Sequence, residues 1–103
     1  MILVFAYVNH GDGKNIGKSL IEKRLALNVN IKEVNTLYIE NDQIKEKVED
    51  LLIIKTRKEL FDRIVEFLKD KSSEIISIKI SDANKEFLDR LESETSIKKI
   101  KNA

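Results

Sequence analysis

VNIKEVNTLYIENDQIKEKVEDLLIIK, residues 29–55, is the stretch whose reading decides the fold. Val29 to Ile39 is rich in Val, Ile, Thr and Tyr, which suit a pleated, half-buried strand surface. Ile44 to Lys55 is a second such run, charged in its first half and apolar in Leu51-Leu52-Ile53-Ile54. Asn41-Asp42 lies between them as a turn signal. The two runs therefore predict one long β-hairpin. Its charged half extends past what a small core can cover and is expected to project as a two-stranded arm. The alternation slips near Lys32-Glu33-Val34, which predicts a β-bulge there.

Outward from the hairpin, each flank supplies a strand and a helix. Ile2 to Val8 is a continuous apolar run, expected to form a central strand buried on both faces. Asn9-His10-Gly11-Asp12-Gly13 is turn chemistry, with Asn9 or Asp12 as the candidate helix cap. Ile16, Leu20, Ile21, Leu25 and Leu27 recur at helical spacing and predict a helix over about residues 13–27. After the hairpin, Thr56 and Glu59 have the spacing of a capping box. The helix that follows puts Leu60, Phe61, Ile64, Val65, Phe67 and Leu68 on one face. Lys58 with Asp62 and Glu59 with Arg63 lie four apart on its wet side. Ile76, Ile78 and Ile80 alternate with Ser77 and Lys79 as a half-buried strand. A last helix is expected from Asp82, with Phe87, Leu88 and Leu91 inward. The order β, α, β, β, α, β plus a helix is the split-βαβ pattern of ferredoxin-like α+β folds. Right-handed crossovers place both main helices on one face of an antiparallel sheet. Residues 1–103 read as one domain without a linker.

Composition removes several function classes. There is no Cys, which excludes disulfides, thiolate nucleophiles and thiolate metal sites. His10 is the single histidine, so one chain cannot build an all-histidine metal cluster. The 19 Lys+Arg balance 18 Asp+Glu, and a net charge of +1 creates no global field for nucleic acid or an anionic membrane. The local exception is Lys98-Lys99-Ile100-Lys101, read as a solvated end. No apolar run reaches the roughly 18 residues of a membrane span. Met1 to Val8 lacks the basic start and cleavage site of a signal peptide, so a cytoplasmic location is expected.

Gly11-Asp12-Gly13-Lys14-Asn15-Ile16-Gly17-Lys18-Ser19 follows a strand and opens a helix, and Gly17-Lys18-Ser19 invites a phosphate-loop reading. A phosphate loop needs glycine five positions before Gly17, where this chain has Asp12. The alternative is a plain turn followed by a helix whose Gly17 packs close to the sheet. His10, with Asp12 two residues on, reads as a solvent-exposed loop residue. Ser19 has no base at a readable spacing. Glu46, Glu49 and Asp50, interleaved with Lys45 and Lys47, read as a solvated or interface face of the arm. No residue is assigned a catalytic, cofactor-binding or metal-ligating role, and no cofactor is expected.

A family resemblance rests on many weak matches in order. Met1-Ile2-Leu3-Val4-Phe5, Leu20-Ile21-Glu22-Lys23-Arg24-Leu25-Ala26 and Val29-Asn30-Ile31 resemble the CutA family of divalent-cation tolerance proteins. Tyr38, Ile44, Glu46, Ile53-Ile54-Lys55-Thr56 and Asn84 to Leu91 continue the likeness. The departures are as informative. Asn28 stands where the family has Cys, Tyr38-Ile39-Glu40-Asn41-Asp42 lacks the Trp and Gly of its aromatic hairpin, and Asp70-Lys71-Ser72-Ser73-Glu74 lacks its His-Pro-Tyr segment. The resemblance implies a non-enzymatic homotrimer, similar in shape to PII signalling proteins, with a role in divalent metal (copper) tolerance or signalling. It gives little reason to carry over a metal site. The alternative it implies is a PII-like sensor that binds a nucleotide or anion in the clefts between subunits.

Overall fold

The computed structural model describes residues 1–95. The elements run β1 (Ile2–Asn9), α1 (Gly13–Glu22), β2 (Asn28–Glu40), β3 (Gln43–Thr56), a single 3-10 turn (Lys58–Leu60), α2 (Phe61–Leu68), β4 (Ile75–Lys79) and α3 (Lys85–Glu94). The strands form one antiparallel sheet in the order β2-β3-β1-β4. The expected α+β, ferredoxin-like arrangement with a long β2–β3 hairpin and an extra C-terminal helix is what the chain adopts. The basic segment Lys98 to Lys101 lies outside the described residues.

Both main helices pack on one face of the sheet. Val4, Ala6, Leu52 and Ile54 from that face meet Ile16 and Leu20 of α1, and Ile64 and Leu68 of α2, all buried. Strand pleating sends alternate side chains to opposite faces. Leu3, Phe5 and Tyr7 therefore point away from the helices, and they are only half-buried. The expected burial of β1 on both faces is corrected: within one protomer it is buried on the helix side alone.

The hairpin is tighter and straighter than the sequence suggests. Asn41 (φ 51°) and Asp42 (φ 61°) form a two-residue turn between the paired Glu40 and Gln43, the left-handed geometry that matches strand twist. Pairing then runs unbroken from Glu40↔Gln43 to Asn28↔Lys55, so the expected bulge near Lys32-Glu33-Val34 is absent. The slip in alternation instead reflects an arm with no core beneath it. Residues 43–48 of β3 are all exposed. The radius of gyration, 14.6 Å, exceeds the roughly 13 Å of a compact 100-residue domain because of this arm.

Helix ends differ from expectation for local reasons. α1 stops at Glu22 because Arg24 takes a left-handed conformation (φ 61°), with the Arg24 N–H donating to the Ile21 carbonyl and the Leu25 N–H to Leu20. Leu25, Ala26 and Leu27 are buried as connection, not helix. Arg24 also pairs with Glu94 at 2.6 Å, tying this corner to α3. Thr56 forms no capping box. It is fully buried in β3, and its hydroxyl donates to the Leu25 carbonyl at 2.6 Å. Glu59 pairs with Arg57 at 3.5 Å instead of reaching back. The last helix starts after Asn84 and not at Asp82, and buries Leu91 while Leu88 is 36% exposed.

Candidate functional site

The loop after β1 meets the hairpin at the point where the arm leaves the core. Val8 and Asp50 are register partners, and Asp50 faces Glu33 across the hairpin. All three lie on the helix side of the sheet, because register partners share a face. Asp50 is buried, 7% exposed, so its expected place on a solvated face is corrected. Its Oδ2 accepts the backbone N–H groups of Gly11 and Gly13, both at 2.9 Å. Its Oδ1 lies 3.3 Å from His10 Nδ1, and Glu33 Oε2 is 3.9 Å from the same nitrogen.

This geometry answers the phosphate-loop question. A helix N-terminus offers unpaired N–H groups and a partial positive charge to an anion. Here that anion is Asp50, supplied by β3. Neither Asp12 nor Asn9 makes a side-chain cap, although Asp12 occupies the position before the helix. A β-carbon on Gly13 would stand 2.8 Å from Asp50 Oδ2, so glycine is what lets the carboxylate approach. Burial pushes the Asp50 carboxyl up, but the N–H groups of Gly13 and Gly11, together with His10, outweigh it and hold it below the usual carboxylate range. Gly17 packs against Val29 across the sheet, as a plain turn-and-helix reading expects. Lys18 is exposed and Ser19 half-buried.

The other singled-out residues are spread apart. His10 is half-exposed at the loop, its side chain retaining 55% of its accessible surface. Glu46 is exposed on the arm and Glu49 pairs with Lys47 at 3.6 Å. Asn28 opens β2 with its Oδ1 buried and without a hydrogen-bond partner in the described residues. The Asp50 contact was hidden in the sequence because 37 residues separate it from Gly13. A glycine-flanked loop opening a helix, and an acid at the edge of an apolar run, are the signals that together could have found it.

The donor set does not suit a soft divalent metal within one protomer. Copper and zinc favour thiolates or several imidazoles; the chain has no Cys and one His. Asp50 is already committed to two N–H groups. Among the described residues no group of three or more His, Cys, Asp and Glu side chains is arranged to hold a metal ion.

Among the described residues, two groups of apolar side chains stay exposed. The sheet face opposite the helices carries Leu3, Phe5, Tyr7 and Ile53, flanked by Ile76 and Ile78, each 44% exposed. On the helix side, Ile31, Val48, Leu37, Ile39 and Ile44 are exposed along the arm, Ile44 reaching 81%, with Glu33, Asn35 and Glu46 interspersed on the same face. Patches of this extent on a small domain mark contact surfaces.

Comparison with known proteins agrees with this architecture. The sequence pattern of the family described as CutA1 divalent ion tolerance protein matches residues 1–94. The rice "Protein CutA 1, chloroplastic" is 33% identical over 100 residues, covering 91% of this chain and 56% of the relative. The chain thus spans about half the length of that relative. The "Divalent-cation tolerance protein CutA" of Thermus thermophilus is 33% identical over 87 residues, covering 80% of this chain and 84% of the relative. The crystal structure of CutA1 from Oryza sativa superposes with a TM-score of 0.85 at 33% identity, covering 91% and 92% of the two chains. The PII-like protein CutA from Nostoc shares the fold at 19% identity, with a TM-score of 0.84 over 92% and 97% of the two chains. With a family match over residues 1–94 and a fold that superposes on a CutA1 structure over nine-tenths of both chains, the chain belongs to the CutA1 divalent ion tolerance family.

Proposed function

We propose that the chain is a non-enzymatic module that works as a homotrimer in the cytoplasm, in the response to divalent metal ions. The observation that carries this is the two groups of exposed apolar side chains on one protomer. The outer face of the sheet is too apolar for solvent, since an antiparallel sheet facing water alternates polar residues outward. The outer edge of β2 is 13 residues long and is paired on one side only. Such an edge invites strand addition unless a neighbour covers it. A closed ring covers every edge by symmetry, and three is the number that the CutA resemblance implies.

The divalent-ion role follows the family and its named relatives, which are called divalent-cation tolerance proteins. It does not require a metal held inside one protomer. Light scattering tests the assembly. The expected mass is about three times the 11.9 kDa protomer, and Ile53→Lys, which puts a charge in the middle of the outer face, is expected to reduce it to one. A parent protein that stays at the protomer mass at micromolar concentration refutes the reading. Restored growth on copper, in a strain lacking its own CutA1 protein, tests the role.

A further inference from the structure

The turn-and-helix loop and the arm look like separate features, but three contacts join them at one place. Gly11 and Gly13 donate to one oxygen of Asp50, and His10 faces the other. Gly13 also lies against Ile31: a β-carbon there would be 2.9 Å from Ile31 Cγ2. Ile31 is 43% exposed and is the first of the exposed apolar residues along the arm that include Leu37 and Ile39. Asp50 is the last buried residue of β3 before the arm, and the hairpin ladder runs unbroken from it to the turn. Gly11, at φ +93°, has nothing within 4 Å of its missing β-carbon; besides Asp50, the turn is closed by the Asp12 N–H donating to the Asn9 carbonyl at 3.0 Å.

We propose that Asp50 is a coupling residue that clasps the root of the arm to the loop carrying His10, so that loop and arm order and loosen together. The inference rests on the assembly reading in one respect: the ordered arm is the one whose exposed apolar residues a neighbouring copy covers. Engagement of the arm then presents His10 and Gly11 in a fixed geometry, and disengagement releases them. The physical carrier is a ladder of paired strands ending in a carboxylate with two charge-assisted hydrogen bonds. That is a contiguous element, here assigned an ordered and a loosened state, as coupling between distant positions requires.

Amide hydrogen exchange by NMR on the full chain tests this, with scattering on the same samples. The imidazole signal of His10 is a second probe, unambiguous because it is the single histidine. Leu37→Lys disengages the arm without touching the protomer core, since Leu37 is 69% exposed. It is expected to speed exchange at Gly11 and Gly13 by about tenfold or more, the scale of losing a hydrogen bond to a charged group. Asp50→Asn alone is expected to do the same, and Leu37→Lys added to it to change the loop no further. Dissociation in Leu37→Lys with Gly11, Gly13 and His10 unchanged overturns the proposal, and this comparison stands even if Asp50→Asn does not fold. If the parent is a single protomer, the assembly reading fails and Asn41→Val decides the coupling. A branched residue at φ 51° frays the arm from its turn. Faster exchange at Gly11 and Gly13 together with the arm then supports the clasp, and a loop that ignores the arm refutes it.

Discussion

Gly13→Ala distinguishes the Asp50 clasp from an ordinary helix start. Gly13 does not have a positive φ, so alanine can adopt its backbone conformation. At an unconstrained helix start, the change would stabilise by roughly 0.5–1 kcal/mol through helix propensity and a less flexible unfolded chain. Here the new β-carbon would stand 2.8 Å from Asp50 Oδ2, 2.9 Å from Ile31 Cγ2 and 3.0 Å from Asp50 Cβ. Ile31 is partly exposed and can turn aside. Asp50 is buried and held through both of its carboxylate oxygens. Pushing Oδ2 away breaks the bond from Gly13 and strains that from Gly11. Losing one hydrogen bond to a charged group costs about 1.5–3 kcal/mol. The net expectation is a loss of about 1–2 kcal/mol after the helix gain is subtracted. Gly17→Ala is the control: its nearest neighbour is Val29 Cγ1 at 3.4 Å, so the helix gain of about 0.5–1 kcal/mol should survive. Urea denaturation followed by far-UV circular dichroism, at one fixed protein concentration, reads both variants against the parent. In an Asp50→Ala background most of the penalty at Gly13 should go, because Oδ2 is removed while the β-carbon at position 50 stays. A Gly13→Ala protein as stable as Gly17→Ala refutes the reasoning.

Three further outcomes are expected. Leu52→Ala should lose about 2–5 kcal/mol in the same denaturation assay, because Leu52 is fully buried. Phe61→Ala should lose less, about 2 kcal/mol, because Phe61 is only partly buried against the core. Lys18→Ala and Ser19→Ala should stay within about 0.5 kcal/mol of the parent, with or without ATP; an ATP-dependent rise in melting temperature lost in Lys18→Ala would restore the phosphate-loop reading. Acid unfolding should depend on Asp50. Its folded carboxyl lies below its unfolded value, so its contribution is present above the ordinary aspartate range near 3.9 and is lost as pH falls through the lowered value. The acid limb of a stability–pH curve should flatten in Asp50→Asn.

Secondary structure was legible where one local rule governed. Asn41-Asp42 announced a turn, and the turn is there, in left-handed form, because nothing else competes for those residues. The alternation of Ile76 and Ile78 was legible as a strand but not as a face. Both point away from the helices, and Ile75 packs on the core instead. Periodicity gives the two sides of a strand and does not say which side the helices take. Thr56 shows the opposite failure. Its spacing to Glu59 satisfied a local capping rule, but a buried hydroxyl goes to whichever acceptor tertiary packing presents, and Leu25 presents one. Arg24 was invisible as a helix end because a left-handed arginine has no signature resembling that of glycine.

Asp50 was misread for the same reason, and its case bears on function. In sequence it sits in Lys-Glu-Lys-Val-Glu-Asp, a run whose charges suggest solvent. In the fold it is the anion that completes the start of α1. The glycine-rich loop was singled out because it resembled a cradle for phosphate, and the physics of that resemblance is sound: the N–H groups converge on one oxygen. What differs is the source of the oxygen. An external phosphate would have to displace a buried carboxylate that belongs to the same chain and is always present, and the negative charge of Asp50 would oppose its approach. The loop therefore holds a strand in place, and the strand it holds is the one that carries the arm. In this member of the CutA1 family the loop fixes the root of the arm, so the residues that looked most like chemistry act in architecture.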